Sequence, residues 1–220
     1  MKPNLFRFAL SLICGIFILG STVLAQDDQY LVSVKRFQQA RSRQFKTVGE
    51  SPLKKKYLKD FNNLSYFEPV PMYRVTAHFT PASDQTPFEM PTFYGNRTVK
   101  HIKRGTLSFT LNGKQYTLGV YQRAEDQTAG GKEKIASSYA FVPFRDLTNG
   151  SDTYEGGRYI DLAKTITETV TLDFNLAYTP DCAYNNRFIC PVPPDENRLD
   201  VRVETGEKVY AAALDAKARK

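Results

Sequence analysis

Asn112-Gly113 stands between two runs of alternating apolar residues, and no other stretch restricts the fold of this chain so tightly. An Asn-Gly pair closes an antiparallel hairpin, because the twist of the two-residue turn it favours matches the twist of the strands it joins. Counting outward from the turn sets Phe109 opposite Tyr116 and Leu107 opposite Leu118. One register therefore places the large apolar residues of both strands on one face, which makes a ribbon with a dry side and a wet side.

The same period of two runs through much of what surrounds it. Tyr73, Val75, Ala77 and Phe79 alternate with Arg74, Thr76 and His78, and further strands are expected over residues 139–144, 158–162, 169–176 and 199–204. Turn clusters such as Thr148-Asn149-Gly150 and the prolines between Pro191 and Pro194 separate them. Short alternating strands broken by frequent turns imply a mainly β, α+β chain: an antiparallel β-barrel or sandwich, not a doubly wound parallel sheet. Two N-terminal helices precede it. Asp27 and Asp28 are available to cap the first, whose stripe is Tyr30, Val34, Phe37, Arg41 and Phe45. Ser51-Pro52 opens the second, with Leu53, Tyr57, Leu58 and Phe61 on one side and lysines on the other.

Residues 1–25 have the three parts of a cleaved signal peptide: Lys2 and Arg7, an apolar run over residues 8–20, and small residues ending at Ala25. The run falls short of the roughly 20 residues that cross a bilayer, so no stable membrane insertion is expected. Cys14 lies inside that run behind Ile13, where lipid attachment needs a small residue. The chain thus reads as exported, periplasmic or extracellular, with one β-rich domain over residues 26–210 and an Ala- and Lys-rich tail over 211–220. Loss of Lys2 and Arg7 from 30 basic residues leaves 28 against 23 acidic, a net of +5. That mild excess suits anionic glycans, lipid headgroups or solubility, whereas an exported chain without a basic, aromatic-laced stripe has no nucleic-acid partner. Lys54-Lys55-Lys56 reads as a solvated helix face. Only Cys182 and Cys190 survive export, and such a pair in an oxidising compartment is expected to be a disulfide. A metal site of two thiolates would lack the Cys or His neighbours that complete it.

Between residues 141 and 208 the composition turns dense in Asp, Asn, Tyr, Gly and Pro. There the spacing of Pro143-Phe144-x-Asp146-x-Thr148-x-Gly150, Thr153-Tyr154-x-x-Gly157-Arg158-Tyr159, Asp173-Phe174-Asn175, Cys182-Ala183-Tyr184-Asn185, Cys190-Pro191, Pro194-x-Glu196-Asn197 and Gly206-Glu207-Lys208 resembles a bacterial family known as domain of unknown function 1684. The resemblance reaches back to about Phe37 through Ser51-Pro52-Leu53, Phe61-x-x-Leu64-x-Tyr66-Phe67 and Tyr73-Arg74-Val75. It implies no activity, substrate or cofactor.

The residues themselves offer three classes of function. Standard nucleophile, zinc-protease, Walker and dinucleotide signatures are absent, and Gly130-Gly131-Lys132 reads as a hairpin tip. His78 and His101 are the only histidines, the latter set among Lys100, Lys103 and Arg104, and both read as solvated. Carboxylates remain. Strand alternation would throw Asp173 and Asn175 onto the face opposite Val170, Leu172 and Phe174, where they suit a polar ligand such as a glycan or small molecule. Asp146, Tyr154, Arg158, Tyr184, Asn185 and Asn197 complete the candidate pocket. A hydrolase-like alternative takes Asp173 and Glu196 as an acid–base pair without histidine. The third class is a structural interaction module in which Arg158 forms a forked ion pair with Asp146 or Asp173 while the amides tie down loops.

Overall fold

The Asn112-Gly113 turn forms with both residues at positive φ, 51° and 76°. It joins the two longest strands with Phe109 opposite Tyr116 and Leu107 opposite Leu118. The computed structural model describes residues 27–93, 97–124, 140–163 and 165–210. The expected leader over 1–25, the expected tip at Gly130-Gly131-Lys132 and the tail over 211–220 lie outside the described residues.

The strands are β1 (Arg74–Pro81), β2 (Phe88–Pro91), β3 (Thr98–Leu111), β4 (Lys114–Arg123), β5 (Phe141–Phe144), β6 (Arg158–Asp161) and β7 (Thr169–Asp173). They form one antiparallel sheet in the order β6-β5-β4-β3-β1-β7, with β2 also beside β3. The sheet curls into a half-barrel. Its concave face buries Ala77, Phe79, Leu107, Phe109, Leu118, Val120, Val142, Ile160 and Leu172. Each fully buried Leu or Phe there contributes on the order of 2 kcal/mol of transfer free energy.

A bulge between Lys103 and Gly105 reverses the phase of β3. Leu107 and Gly105 face the core, but His101 and Lys103 pair with Arg123 and Tyr121 on the opposite face. Gly105 is obligatory at this bend, since a Cβ would lie 2.3 Å from the Thr80 carbonyl oxygen. On that opposite face His101 is nevertheless covered, which corrects its solvated reading. Its ring is buried against Phe141 at 5.6 Å, and its Nδ1 bonds the Val99 carbonyl at 2.8 Å.

Helix α1 covers residues 27–46. It buries Val34, Gln38, Ser42 and Phe45, while Phe37, placed on the buried stripe by the heptad-like count, is exposed. The buried line runs i, i+4, i+8, i+11: it keeps Val34 and Phe45 of the expected stripe and has Gln38 and Ser42 where Phe37 and Arg41 were expected. Helix α2 is only Lys55–Leu58. Ser51 does not cap it; its Oγ accepts from the Leu53 N–H in a local turn, and Lys54 is the residue before the helix.

The remainder is coil with short 3-10 turns, and here two expected strands change. The strand expected over 169–176 ends at Asp173, because the Asp173 carboxylate accepts from the Asn175 N–H and starts a 3-10 turn over Phe174–Leu176. Residues 199–204 form no strand; Leu199 donates to the Arg145 carbonyl and Leu147 to the Val201 carbonyl as single ties. The coil lies along sheet edges. Tyr178 exchanges both backbone bonds with Tyr159 of β6, and Val192 donates to Pro91 of β2. Edges so covered cannot recruit another strand.

Candidate functional site

Asp146 follows β5 and Arg158 opens β6, so the pairing of these strands carries the two side chains together. Gly157, at φ +95°, lets the chain pass the Phe144 carbonyl at a distance where a Cβ would lie 2.4 Å away. Arg158 Nη2 donates to Asp146 Oδ2 at 2.8 Å and to the Val203 carbonyl at 2.9 Å, and Nη1 donates to the Thr205 carbonyl. Asp146 Oδ1 accepts from the Thr148 N–H and hydroxyl and from the Val203 N–H. Both side chains have no exposed surface. Burial pulls the Arg158 pKa down and Asp146 works against that pull. The pair seats the C-terminal coil on the sheet.

Asp173 and Asn175 also meet, by a turn and not by strand alternation. The Tyr30 hydroxyl of α1 donates to both Asp173 oxygens at 2.9 Å, and burial, with Asp173 next to it, pushes the Tyr30 pKa up so that the proton stays. Asn175 Oδ1 accepts from the Val70 N–H at 2.8 Å and from the Thr205 hydroxyl. Its Nδ2 faces Tyr30, the Val70 carbonyl and Asp173. Three distant parts of the chain, at Tyr30, Val70 and Thr205, converge on one amide.

A second buried ion pair lies nearby. Arg41 Nε donates to Glu207 at 2.8 Å, and its Nη2 donates to the Thr179 carbonyl at 2.8 Å. The guanidinium lies over the Tyr178 ring at 4.6 Å. Tyr184 donates to the other Glu207 oxygen, with its pKa raised by burial and by Glu207. Asn197 clamps the sheet: its Oδ1 accepts from the Gly119 N–H at 2.6 Å, and its Nδ2 donates to the Gly119 and Pro143 carbonyls. Asn185 accepts from the Arg187 N–H, and the Tyr154 ring packs edge-on against Phe93.

The expected Cys182–Cys190 disulfide is not formed. Both side chains are buried, with Cys190 Sγ accepting from the Cys182 N–H at 3.2 Å instead of meeting its sulfur at bonding distance. The hydrogen bond to Cys190, then burial, pushes the Cys182 thiol pKa up and keeps it protonated. No group of three or more His, Cys, Asp or Glu able to hold a metal occurs among the described residues. No described helix is long and apolar enough to cross a membrane.

Glu196 stands apart from Asp173. It precedes Asn197 in a 3-10 turn, accepts from Tyr121 and from Lys103 at 2.5 Å, and leaves 47% of its side chain exposed. Burial opposes its charge, but the bonds from Lys103 and Tyr121 prevail and hold its pKa below the usual value. Asp173 and Glu196 share no partner, so no two-carboxylate centre is assembled. A cleft of about 260 Å³ opens elsewhere, between β6 and the segment leading into β7, lined by Asp161, Thr165, Thr167, Thr169 and Thr171 among others. Partial burial raises the Asp161 pKa although Tyr178 donates to it. None of the pocket residues chosen from the sequence lines this cleft.

Tyr30, Arg41, Lys103 and Tyr121 escaped the sequence reading as members of these networks. Arg41 had a signal, a cation on an otherwise apolar helical stripe; Tyr30, Lys103 and Tyr121 had none.

Residues 59–208 match the family described as protein of unknown function (DUF1684). Among solved structures, the solution NMR structure of the uncharacterized protein from gene locus rrnAC0354 of Haloarcula marismortui is 36% identical, aligned over 84% of this chain and 97% of that one, with a TM-score of 0.62. No curated protein matches. The family model spans the sheet, the buried Asp146–Arg158 pair and Glu207 alike, so the chain belongs to the DUF1684 family.

Proposed function

We propose that the chain is an exported, noncatalytic envelope domain, an interaction module whose motif residues cross-link its own backbone. One observation carries this reading: the polar atoms of Asp173 and Asn175 are turned onto Tyr30, Val70 and Thr205 of the same chain. A group that binds or attacks a ligand needs lone pairs or protons left over, and here the Asn175 amide and Asp173 Oδ1 are engaged within the chain. The charged, apolar and small-residue order of residues 1–25 supports export.

Thermal and urea melts of Asp173→Asn test the reading. The substitution places a donor against the Tyr30 hydroxyl and is expected to cost about 2 kcal/mol, with no cation, sugar or flavin shifting the melt of either form. A well-folded variant that loses a ligand shift shown by the wild type would overturn it.

A second reading has its own observation. Glu196 keeps an open side beside a phenol and an ammonium, the donor set of a small acid–base or polar-ligand site. Under it, Glu196→Gln abolishes binding or turnover of an added small molecule while the melting temperature holds; a melt lowered without any ligand effect returns Glu196 to the scaffold.

A further inference from the structure

Charge is divided unevenly along the chain. Residues 27–59 carry nine Lys and Arg against three Asp and Glu, whereas residues 60–210 carry sixteen against nineteen. After Asp28, α1 has no acidic residue at all. Two of its cations are engaged, Lys35 with Glu68 and Arg41 with Glu207. Among the described residues, Arg36, Arg43, Lys46, Lys54, Lys55 and Lys56 form no ion pair, and all but the half-buried Lys54 are exposed.

Apolar side chains stand out in the same neighbourhood. Val48, two residues past α1, is 84% exposed, and Ile189 is 46% exposed. Arg187 donates to the Ser51 carbonyl at 3.1 Å, which brings the loop carrying Ile189 to the turn that carries Val48 and leads into Lys54–Lys56. Val32, half exposed, lies on the outer side of α1 with Arg36 and Arg43, at i, i+4 and i+11. Glu50 is the one acidic residue between Val48 and Lys56.

A solvated charge run needs no hydrophobic side chains at its centre. Cations around exposed aliphatic residues are the chemistry of a surface that lies on anionic lipid: headgroup phosphates attract the lysines, and the aliphatic groups enter the headgroup boundary. From these juxtaposed features we infer that the helical layer, centred on Val48, Ile189 and Lys54–Lys56, docks on an anionic phospholipid surface without crossing it. The chain ahead of residue 27, with its apolar run over 8–20, would deliver the domain to a membrane with this layer first in sequence. The inference names a partner for the interaction module proposed above and rests on that reading.

The test is co-sedimentation of the chain beginning at Gln26 with phosphatidylglycerol–phosphatidylcholine vesicles and with phosphatidylcholine vesicles alone. Expected are at least tenfold tighter binding to the anionic vesicles, weakening with added salt, and at least a tenfold loss in K54E/K55E/K56E. V48S/I189S is expected to lose several-fold, with melting temperatures of both variants unchanged. A matched reversal of three exposed cations outside the helical layer, R97E/K100E/R198E, should bind as the wild type does. Absence of anionic-vesicle binding overturns the inference, as does binding that the lysine reversal leaves intact. Equal or tighter binding to heparin or an oligonucleotide, indifferent to V48S/I189S, also overturns it. Each of these outcomes leaves the module reading standing, since the ligand melts alone decide that.

Discussion

Strands β3 and β4 pack Leu107, Phe109, Leu118 and Val120 into one apolar face, whereas the coil from Phe174 to Lys208, no less buried, is seated by Arg158, Asn175, Asn197 and Glu207. Apolar packing is weakly directional, so a core of this kind accepts a side chain of similar volume. The polar contacts behave differently. A buried ion pair is worth little relative to apolar groups of the same size, but removing half of it strands a charge. The sheet should therefore yield by degrees and the coil all at once.

The sharpest way to break the contrast is Arg158→Ala. It leaves the Asp146 carboxylate buried without its cation and should cost about 4 kcal/mol in urea unfolding; an unchanged midpoint would dissolve the distinction. Arg158→Met combined with Asp146→Leu removes the stranded charge and should recover part of the loss, the rest remaining because the Val203 and Thr205 carbonyls and the Thr148 and Val203 N–H groups lose their partners. The core counterpart is Leu118→Ala, expected to cost about 3 kcal/mol through transfer and cavity, while Leu118→Met should cost less than about 1.5 kcal/mol. A methionine as damaging as the alanine would show that the sheet is as exacting as the coil.

The smallest effect concerns the buried imidazole of the sheet. Burial lowers the His101 pKa against the bond to Val99, with Arg123 lowering it further and Glu89 opposing. Below the ordinary histidine value the unfolded chain takes up a proton that the folded chain refuses, so stability is complete above that value and falls as pH drops below it. The slope is at most about 1.4 kcal/mol per pH unit. Melts between neutral and mildly acid pH should show this loss in the wild type and a flatter profile in His101→Gln; identical profiles would remove His101 from the account.

What was legible in the sequence divides along the same line. The hairpin is written locally, because turn chemistry and alternation agree within a dozen residues on either side of Asn112-Gly113. The end of β7 was not, since alternation through Val170, Leu172 and Phe174 continues while the Asp173 carboxylate stops the ladder. Residues 199–204 alternate like a strand, yet their neighbours at Arg145 and Leu147 offer only single bonds. His101 was misread from its charged neighbours Lys100, Lys103 and Arg104, because nothing local shows that Phe141, 40 residues on, covers its ring. The motif spacing around Arg158 suggested a pairing with Asp146 or Asp173, and only coordinates distinguish the two. Asn197 gives no sign in sequence that its amide reaches Gly119 and Pro143, respectively 78 and 54 residues away.

Helix α1 is the first described segment to leave the ribosome, and its polar anchors are among the last. Tyr30 waits for Asp173, 143 positions later, and Arg41 waits for Glu207, 166 positions later. Closing such long loops is slow. Until residue 179 has been made, the helix has neither of the carboxylates nor the carbonyl that receive its buried arginine, and a chain stopped short of Glu207 would hold that cation on the Thr179 carbonyl and Asp181 without its principal counter-charge. Synthesis thus runs from one end of the chain to the other, but consolidation begins only when the far end arrives, which gives the unfinished chain a long interval in which it remains open.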